Sequence, residues 1–317
     1  MTDPASDVAA AMTSAARALT GSLTSQQRDE ALLPFTDMAR TRWTYLPLPR
    51  PGVSLLQLDR ESRKAAHRLL ATALSRPAFA QAVTIMAFEE VLDLDEAGQR
   101  GRHSDDYYVL VFGEPGGELW GWRFEGHHLS VTATIAAGRA VVAPLFLGSN
   151  PARVEHRGSI VLSPLQREEE WARAIITGMP EPLRSQAVIG GSAPRDIVTG
   201  TDHRVPRRLE PAGIAAARLD GAPRDLLGRL VHAYLDRLTP ALAELEAGRI
   251  AMDNVTFAWA GGTRPGEGHY YRLQGDDLLI EYDNTQRSAN HAHTVLRRPG
   301  ADFGEQLLPG HLAAEGR

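Results

Sequence analysis

The sequence predicts an α+β fold in which helices flank two blocks of antiparallel strands. Apolar residues recur with the helical period of about 3.6 over residues 5–94, and the pattern changes to strand-like alternation over about 107–148. Helical and loop-like sequence follows over 160–250, and strand-like sequence returns over about 255–297. Because helices and strands fall into separate runs, the order fits α+β better than a βαβ alternation. No Ser- or Pro-rich linker divides the chain, so we expect a single domain over 1–317.

Helices are predicted on both sides of the first strand block. Thr24 or Ser25 can cap a helix that begins there, with acidic residues in its early turns. The stretch 42–53 holds three prolines, which exclude a helix, and 194–208 resembles a long irregular loop. Helical periodicity covers five segments: 5–20, 59–73, 77–94, 165–177 and 224–250.

Turn signals divide each strand block. In the first block, Pro-Gly-Gly at 115–117 and Ala-Gly-Arg at 137–139 separate β-prone segments, which predicts an antiparallel meander. In the second block, 275–277 forms a turn between two of four predicted strands. These four strands cover 255–260, 269–274, 278–283 and 291–296. The sequence leaves open whether the blocks share one sheet or face each other.

Composition excludes several kinds of chemistry and partner. The chain has 317 residues and no cysteine, so disulfides, thiolate nucleophiles, iron–sulfur clusters and Cys-ligated zinc are excluded. The net charge of −5 and the lack of a basic stripe predict no nucleic-acid partner. No run approaches the roughly 18 apolar residues that span a bilayer, and the N-terminus begins with acidic residues, unlike a signal peptide. We therefore expect a cytoplasmic protein with no membrane partner.

One hairpin of the second block carries the strongest signal for chemistry. Two carboxylates, Glu281 and Asp283, are two residues apart in one predicted strand, and residues two apart in a strand point to the same face. Two histidines, His291 and His293, have the same spacing in the next strand. A hairpin centred on Arg287 places Asp283 opposite His291. Glu281 then lies opposite His293, and the shared face predicts a metal site with oxygen and nitrogen ligands.

A helix is the alternative for this segment. Asn284 is a favoured N-cap, and a helix that begins there runs through both histidines. His291 and His293 then diverge by about 200° around the helix axis, so they cannot share a metal.

The first block holds a second candidate group. Alternation places Arg123, Glu125 and His127 on one face of a strand, and Gly126 permits a bulge that re-aims His127 or His128. Either histidine is therefore a candidate active-site residue, with an ion pair at the sheet edge as the alternative. The opposite face is predicted to be core and carries three aromatic residues: Trp120, Trp122 and Phe124.

The segment His269-Tyr-Tyr-Arg272 adds further candidates. His269 or Tyr271 can act as a proton donor, and Arg272 with Arg123 can clamp a substrate carboxylate. The alternative is a Tyr-rich strand with a solvated histidine and arginine. A nucleophile elbow, an HExxH motif and a Walker lysine are all absent from the sequence. His311 is a further histidine that can fold back over the site.

Longer motifs make the chain resemble a bacterial family known only as a domain of unknown function, with members about this long. The matching motifs are Arg42–Pro47, Trp120–Ser130, Phe146–Pro151, Phe257–Ala260, His269–Arg272, Glu281–Gln286, Asn290–His293 and Asp302–Gly304. The resemblance covers nearly the whole chain and implies a single domain but no established activity. It also implies a polar signature: His127, His128, His269, Tyr270, Tyr271, Arg272, Glu281, Asp283, Asn284, His291 and His293.

We predict from these residues a metal-dependent enzyme that acts on a small, anionic molecule. Two or three of the four histidines in the two candidate groups, together with Glu281 or Asp283, would hold one transition metal and leave positions open. Those histidines are His127, His128, His291 and His293. In the absence of thiolates, the metal is iron, zinc, copper or manganese. The Trp- and Tyr-rich surroundings suggest a shaped apolar cavity and favour an oxidoreductase over a hydrolase.

Two metal-free alternatives remain open. In the first, His127 or His269 pairs with Asp283 or Glu125 as an acid–base dyad for hydrolysis or isomerisation. In the second, the same polar cluster binds a small anion without chemistry. The metal content of the protein separates both alternatives from the metalloenzyme.

Overall fold

Helices and strands cover most of residues 4–308, the part of the chain that the computed structural model describes. The α-helices are α1 (Pro4–Ser22), α2 (Ser25–Ala31), α3 (Arg60–Ala71), α4 (Arg76–Asp95), α5 (Gln166–Gly178), α6 (Glu181–Ala187), α7 (Gly221–Leu235) and α8 (Pro240–Ala247). The first strands are β1 (Leu32–Leu33), β2 (Val53–Ser54), β3 (Tyr107–Phe112), β4 (Leu119–Gly126), β5 (Leu129–Ala136), β6 (Arg139–Ser149), β7 (Val154–His156) and β8 (Ser159–Leu162). The others are β9 (Val188–Gly190), β10 (Ile214–Ala215), β11 (Thr256–Gly261), β12 (His269–Gly275), β13 (Leu278–Gln286) and β14 (His291–Arg297).

Both predicted strand blocks belong to one sheet of twelve strands. Its order is β1-β3-β4-β5-β6-β14-β13-β12-β11-β10, with β2 also paired to β3 and β9 to β11. The blocks join where β6 pairs antiparallel with β14, from Ser149 opposite Ala292 to Leu145 opposite Leu296. The α+β class is therefore confirmed, whereas the two separate blocks of the prediction merge into one largely antiparallel sheet. β7 and β8 form a separate hairpin.

The predicted helices of the N-terminal third are present as α1 to α4. Thr24 caps α2 through a capping box: its hydroxyl accepts from the Gln27 amide, and the Gln27 side chain accepts from the Thr24 amide. The predicted irregular stretch 194–208 also has no helix or strand. No helix within residues 4–308 combines the length and the apolar character needed to cross a membrane.

The two faces of the sheet pack against different layers. The helices cover one face, where the main core contains Trp120, Trp122 and Phe124, as predicted. Irregular segments cover the other face, and their smaller core contains Tyr45, which is stacked on Phe146 at 4.0 Å between ring centroids. Full burial of each large apolar side chain stabilises the fold by about 1.5–3 kcal/mol. The sheet is thus fixed from both sides, and residues from both layers can meet at its ends.

Candidate metal centre

Four histidines meet at one end of the sheet. His127 and His128 occupy the turn between β4 and β5, and His291 and His293 lie at the start of β14. β6 lies between β5 and β14, so the two pairs come together although they are far apart in the sequence. His128 Nε2 is 2.8 Å from His291 Nε2, and the ring centroids of His128 and His293 are 5.3 Å apart.

Gly148 on β6 makes room for this approach. A Cβ atom at this position would lie 2.9 Å from His128 Cδ2 and 3.0 Å from His293 Cδ2. His128 itself has a φ of 63°, in the left-handed region that few non-glycine residues adopt. Its backbone is held by two hydrogen bonds, from its amide to the Tyr45 carbonyl at 3.1 Å and from the Gly148 amide to its carbonyl at 2.7 Å. The turn therefore holds the His128 ring against the β6 backbone.

Gly126 has a different role from the predicted bulge. β4 and β5 pair without a register shift up to Gly126 opposite Leu129. A Cβ atom on Gly126 would lie 2.2 Å from the ring of Tyr107, whose hydroxyl donates to the His127 carbonyl at 2.6 Å. The glycine thus admits the tyrosine that supports the histidine turn.

The hairpin that carries His291 and His293 is present, but the predicted register is wrong by two residues. Asp283 lies opposite His293 instead of His291, and Glu281 lies opposite Val295. A shift of two residues leaves every side chain on its original face, because the side-chain period of a strand is two. The shared face therefore survives the error in register.

The turn between the two strands explains the shift. Three consecutive non-glycine residues, 287–289, have positive φ angles of 49°, 55° and 62° and form a tight turn with left-handed backbone. The pairing also changes register between Asp283 and Gln286. Because β13 continues to Gln286, the alternative helix beginning at Asn284 is excluded.

The ring nitrogens of His128, His291 and His293 form a group that can hold a metal ion. One nitrogen of each residue lies within 4.8 Å of the others. His128 and His293 are buried and His291 is half-buried. A second group within the same distance contains Glu89, His127 and His128, so His128 belongs to both groups.

Two carboxylates orient these imidazoles. Asp196 Oδ1 accepts a hydrogen bond from His293 Nδ1 at 2.7 Å. Glu89 Oε1 lies 2.6 Å from His127 Nδ1 and 3.7 Å from His128 Nδ1. A carboxylate on the outer nitrogen of an imidazole fixes the ring and its tautomer, so that the other nitrogen presents a lone pair. His293 is thereby set to offer Nε2 to a metal.

Both carboxylates are held in turn by further side chains. Tyr45 donates from its hydroxyl to Asp196 Oδ2 at 3.2 Å. Arg102 Nη1 lies 3.2 Å from Glu89 Oε2 and 3.0 Å from His127 Nδ1. The arginine therefore occupies one side of the second group, between its carboxylate and its first histidine.

Burial disfavours the charged form of three of the four histidines: His127, His128 and His291. Burial is the main cause that lowers the pKa of His127 and holds the pKa of His128 well below its ordinary value. Burial, followed by the charges of neighbouring imidazoles, lowers the pKa of His291 to about 2. A neutral imidazole is the form that binds a metal.

Glu281, a predicted metal ligand, is engaged elsewhere. It accepts hydrogen bonds from the Val198 amide at 2.6 Å and from the Thr199 amide at 3.1 Å. The Thr199 hydroxyl also donates to it, and the Tyr270 hydroxyl does so at 2.7 Å. The structure therefore does not bring Glu281 into the cluster. Its carboxylate fixes the loop that carries Asp196.

Asp283 lies next to the cluster, outside both metal-capable groups. Its Oδ1 accepts from the amide and the hydroxyl of Thr285 at 3.0 and 2.8 Å. Its Oδ2 is buried and has no hydrogen-bond partner among the described residues. Burial raises the pKa of Asp283 to about 6.

His269 and Tyr271, the predicted proton donors, lie on the opposite face of the sheet. His269 is stacked between Trp259 and Tyr282, with ring centroids 4.5 and 5.3 Å away, and burial lowers its pKa to about 3. The hydroxyl of Tyr271 is 2.6 Å from that of Tyr234, and its pKa is raised by burial. Strand alternation explains why both residues lie away from the cluster. Tyr270 faces Glu281, so its neighbours His269 and Tyr271 point to the other face.

The two predicted clamp residues, Arg123 and Arg272, are buried and support irregular segments. Arg123 Nη1 donates to the Ala39 carbonyl at 2.9 Å, and its Nε is 3.2 Å from Glu125. Arg272 Nη2 donates to the carbonyl of Leu209 at 3.0 Å and to that of Pro211. These bonds direct both guanidinium groups to the backbone, away from the histidines.

A cleft of about 360 Å³ opens beside the histidine cluster. Its lining combines polar and apolar surface and includes Tyr45, His127, His291 and His293. It also contains three arginines and two carboxylates: Arg100, Arg102, Arg287, Glu96 and Asp196. The remaining lining residues are Leu46, Pro47, Asn150 and Gln286. Apart from Tyr270, the large aromatic residues of β4 and β11 to β13 lie on the helix side, and none of them lines this cleft. His311 lies outside the described residues.

Sequence reasoning missed Glu89 and Asp196. The position of Glu89 could have been noticed in the sequence, because it lies on the apolar face of α4 with Ile85 and Leu92. A carboxylate on a buried face needs a polar partner, which makes Glu89 a candidate site residue. Asp196 lies in an irregular loop whose residues carry no period, so its meeting with His293 follows only from the tertiary fold.

The fold and the site define an α+β protein with a buried histidine-rich cluster, at the end of its sheet, that can hold a metal ion. The chain belongs to the family described as protein of unknown function, DUF3500, whose model matches residues 5–305. The resemblance expected from the sequence motifs is thereby confirmed. Comparisons with curated proteins and with solved structures found no match.

Proposed function

We propose that this protein is a metal-dependent enzyme that binds one transition-metal ion through His128, His291 and His293. The observation that carries the proposal is the convergence of three imidazoles, with one nitrogen of each within 4.8 Å of the others, beside an open cleft. Buried neutral imidazoles are costly unless their nitrogens have partners, and here the inner nitrogens face one another. Clusters of this kind with perturbed pKa values are typical of functional sites.

The donor set favours activation of water over redox chemistry. A divalent ion on three neutral nitrogen ligands keeps its full charge, lowers the pKa of a coordinated water and leaves a position open for substrate. In this arrangement Asp196 orients His293, and Glu89 lies behind His127 and His128. The charged side chains in the lining of the cleft suit a polar small molecule. We therefore place hydrolysis or a related water-dependent reaction first.

Oxidation is the second candidate, because an aromatic pair adjoins a proposed ligand. Tyr45 is stacked on Phe146, and its ring centroid is 5.0 Å from that of His293. A redox-active ion bound to His293 would have this phenol close by. Three-nitrogen sites accept zinc, copper and iron, so the identity of the metal separates the two candidates.

Elemental analysis of protein purified without an affinity tag or a chelator tests the proposal. About one zinc per chain supports the water-dependent reaction, and about one iron or copper per chain supports oxidation. Protein that contains no metal, and binds none after anaerobic reconstitution, contradicts the proposal. That outcome leaves the His127–Glu89 pair as a metal-free acid–base dyad, or a binding site without chemistry.

A further inference from the structure

Arg287 is a cleft arginine with no carboxylate within ion-pair distance among residues 4–308. The other two arginines of the cleft are paired. Arg100 Nε lies 3.8 Å from Glu96, and Arg102 lies 2.7 Å from Glu96 and 3.2 Å from Glu89. Arg287 instead donates from Nη1 to the neutral side chain of Asn150 at 2.8 Å. The charge of Arg287 contributes, after those of Arg102 and Arg100, to lowering the pKa of Glu96. Because no ion pair among the described residues holds its guanidinium, that group can still bind a ligand.

The backbone around Arg287 is held firmly against the segment after β6. The Asn290 carbonyl accepts from the Ala152 amide at 2.9 Å, and the Asn290 side chain accepts from the Arg153 amide at 2.9 Å. Arg153 Nη1 also donates to the Ala289 carbonyl at 3.3 Å. Arg287 is an exposed residue, and its guanidinium is positioned at the cleft by its hydrogen bond to Asn150.

The charges of the cleft favour an anion. Its lining contains three arginines, Arg100, Arg102 and Arg287, and two carboxylates, Glu96 and Asp196. Each carboxylate already has a partner: Arg102 binds Glu96, and His293 and Tyr45 bind Asp196. A divalent ion on the histidines would add further positive charge to the same cleft.

We propose that the substrate is a small carboxylic acid whose carboxylate binds Arg287 while its reacting group lies at the histidine triad. This inference rests on the proposed function. A guanidinium matches a carboxylate with two parallel hydrogen bonds, which gives orientation as well as attraction. Arg287 lines the same cleft as His291 and His293, so one small molecule can reach both. Phosphate shares this chemistry, and a small cleft with a single unpaired guanidinium favours the carboxylate.

Titration calorimetry with malonate, succinate and inorganic phosphate tests this proposal. The metal-loaded protein is expected to bind a dicarboxylate more tightly than phosphate. Arg287→Met is expected to weaken binding at least about tenfold, since a charged, bidentate contact is lost, and Arg287→Lys to recover part of it. Arg100→Met is the matched control, because it removes one positive charge from the same cleft at a residue already paired with Glu96. Metal content is measured for every variant and should not change.

The possible results separate this proposal from that of the metal site. Dicarboxylate binding that is equal in wild type and Arg287→Met, or equally weakened by Arg100→Met, overturns the role of Arg287 and leaves the metal site standing. The role of Arg287 is also overturned if neither dicarboxylate binds at about 10 mM, because the Kd would then be weaker than about 10 mM. Tighter, Arg287-dependent binding of phosphate overturns the carboxylate assignment. Arg287-dependent dicarboxylate binding to protein that cannot hold a metal supports the anion site while the proposed metalloenzyme fails.

Discussion

His128 Nε2 and His291 Nε2 lie 2.8 Å apart although the two residues are separated by 163 positions in the sequence. This is a hydrogen-bond distance, so one ring donates a proton to the other in the absence of a metal. Two imidazoles bound to one tetrahedral ion, with bonds of about 2.0–2.1 Å, have their nitrogens about 3.4 Å apart. Binding of the proposed metal would therefore have to displace the shared proton and move the two rings apart by about half an ångström.

Removal of any one ligand ring is expected to abolish stoichiometric metal binding. His128→Ala, His291→Ala and His293→Ala each leave two imidazoles, which hold a divalent ion far more weakly than three. His156→Ala is the control, because His156 is an exposed residue of the separate β7–β8 hairpin. Elemental analysis after dialysis, with circular dichroism to confirm folding, measures the effect. Wild-type metal content in folded His291→Ala and His293→Ala would exclude the triad.

Gly148→Ala is expected to weaken metal binding without removing a ligand. The new methyl group would press on His128 Cδ2 and His293 Cδ2, at 2.9 and 3.0 Å, so both rings must move. We expect the metal affinity to fall at least about tenfold, a loss similar to that caused by removing a residue that supports a ligand. The free energy of unfolding should fall by about 1–3 kcal/mol, because the added methyl group overpacks the site. Competition with a chromophoric chelator measures the affinity.

Gly275→Ala is the matched control for this substitution. Gly275 is also at a strand position, but its added methyl would meet only Val255 and Leu278, at ordinary distances of 3.6 and 3.8 Å. Metal affinity should equal that of wild type. Equal affinity in Gly148→Ala would show that the two rings are not both ligands.

Local periodicity accounts for what the sequence predicted correctly. Alternation was sufficient to place Trp122 in the core, and to place His291 and His293 on one face of a strand. The error of two residues in the hairpin arose at Arg287, because three non-glycine residues with positive φ give no sequence signal. The shared face was still predicted correctly, since the error was an even number of residues.

The remaining parts of the site depend on tertiary packing. The join between β6 and β14 brings His128 next to His291, and no local pattern encodes which strands of two blocks will pair. Glu281 illustrates the same limit. Its residue type fits a metal ligand, and only the packed loop with Val198 and Thr199 shows that its oxygens are already engaged.

Asp196→Asn and Glu281→Gln test whether these two carboxylates support the metal site from outside or bind the metal directly. Asp196→Asn removes the charge behind His293 and is expected to weaken metal binding about 10- to 100-fold. Glu281→Gln loosens the loop that carries Asp196. Its loss of metal affinity should therefore be no larger than the loss in Asp196→Asn. A loss in Glu281→Gln as complete as in His293→Ala would make Glu281 a ligand after all. Chelator competition gives both affinities, with the exposed Glu155→Gln as the control.

His269 should make the protein less stable in mild acid. Burial lowers its pKa to about 3 in the folded protein, whereas a histidine in the unfolded chain has a pKa of about 6.5. Below about pH 6.5 the unfolded chain therefore binds a proton that the folded protein does not, and this contribution to stability is lost progressively down to about pH 3. Between pH 7 and pH 5 the loss from this one residue amounts to about 2 kcal/mol.

His269→Phe isolates this effect, because phenylalanine can keep the stacking on Trp259 and Tyr282 and cannot take up a proton. The substitution loses the contact of Nδ1 with the Glu267 carbonyl, at 3.1 Å, and replaces Nε2, which has no partner among the described residues. Urea unfolding at pH 7 and pH 5 measures the free energy of unfolding of both proteins. From pH 7 to pH 5 the free energy of unfolding of the variant should fall by about 2 kcal/mol less than that of wild type, since the other buried histidines are common to both. An equal fall in the two proteins would show that His269 titrates normally in the folded state, and would reopen its predicted role as a proton donor at neutral pH.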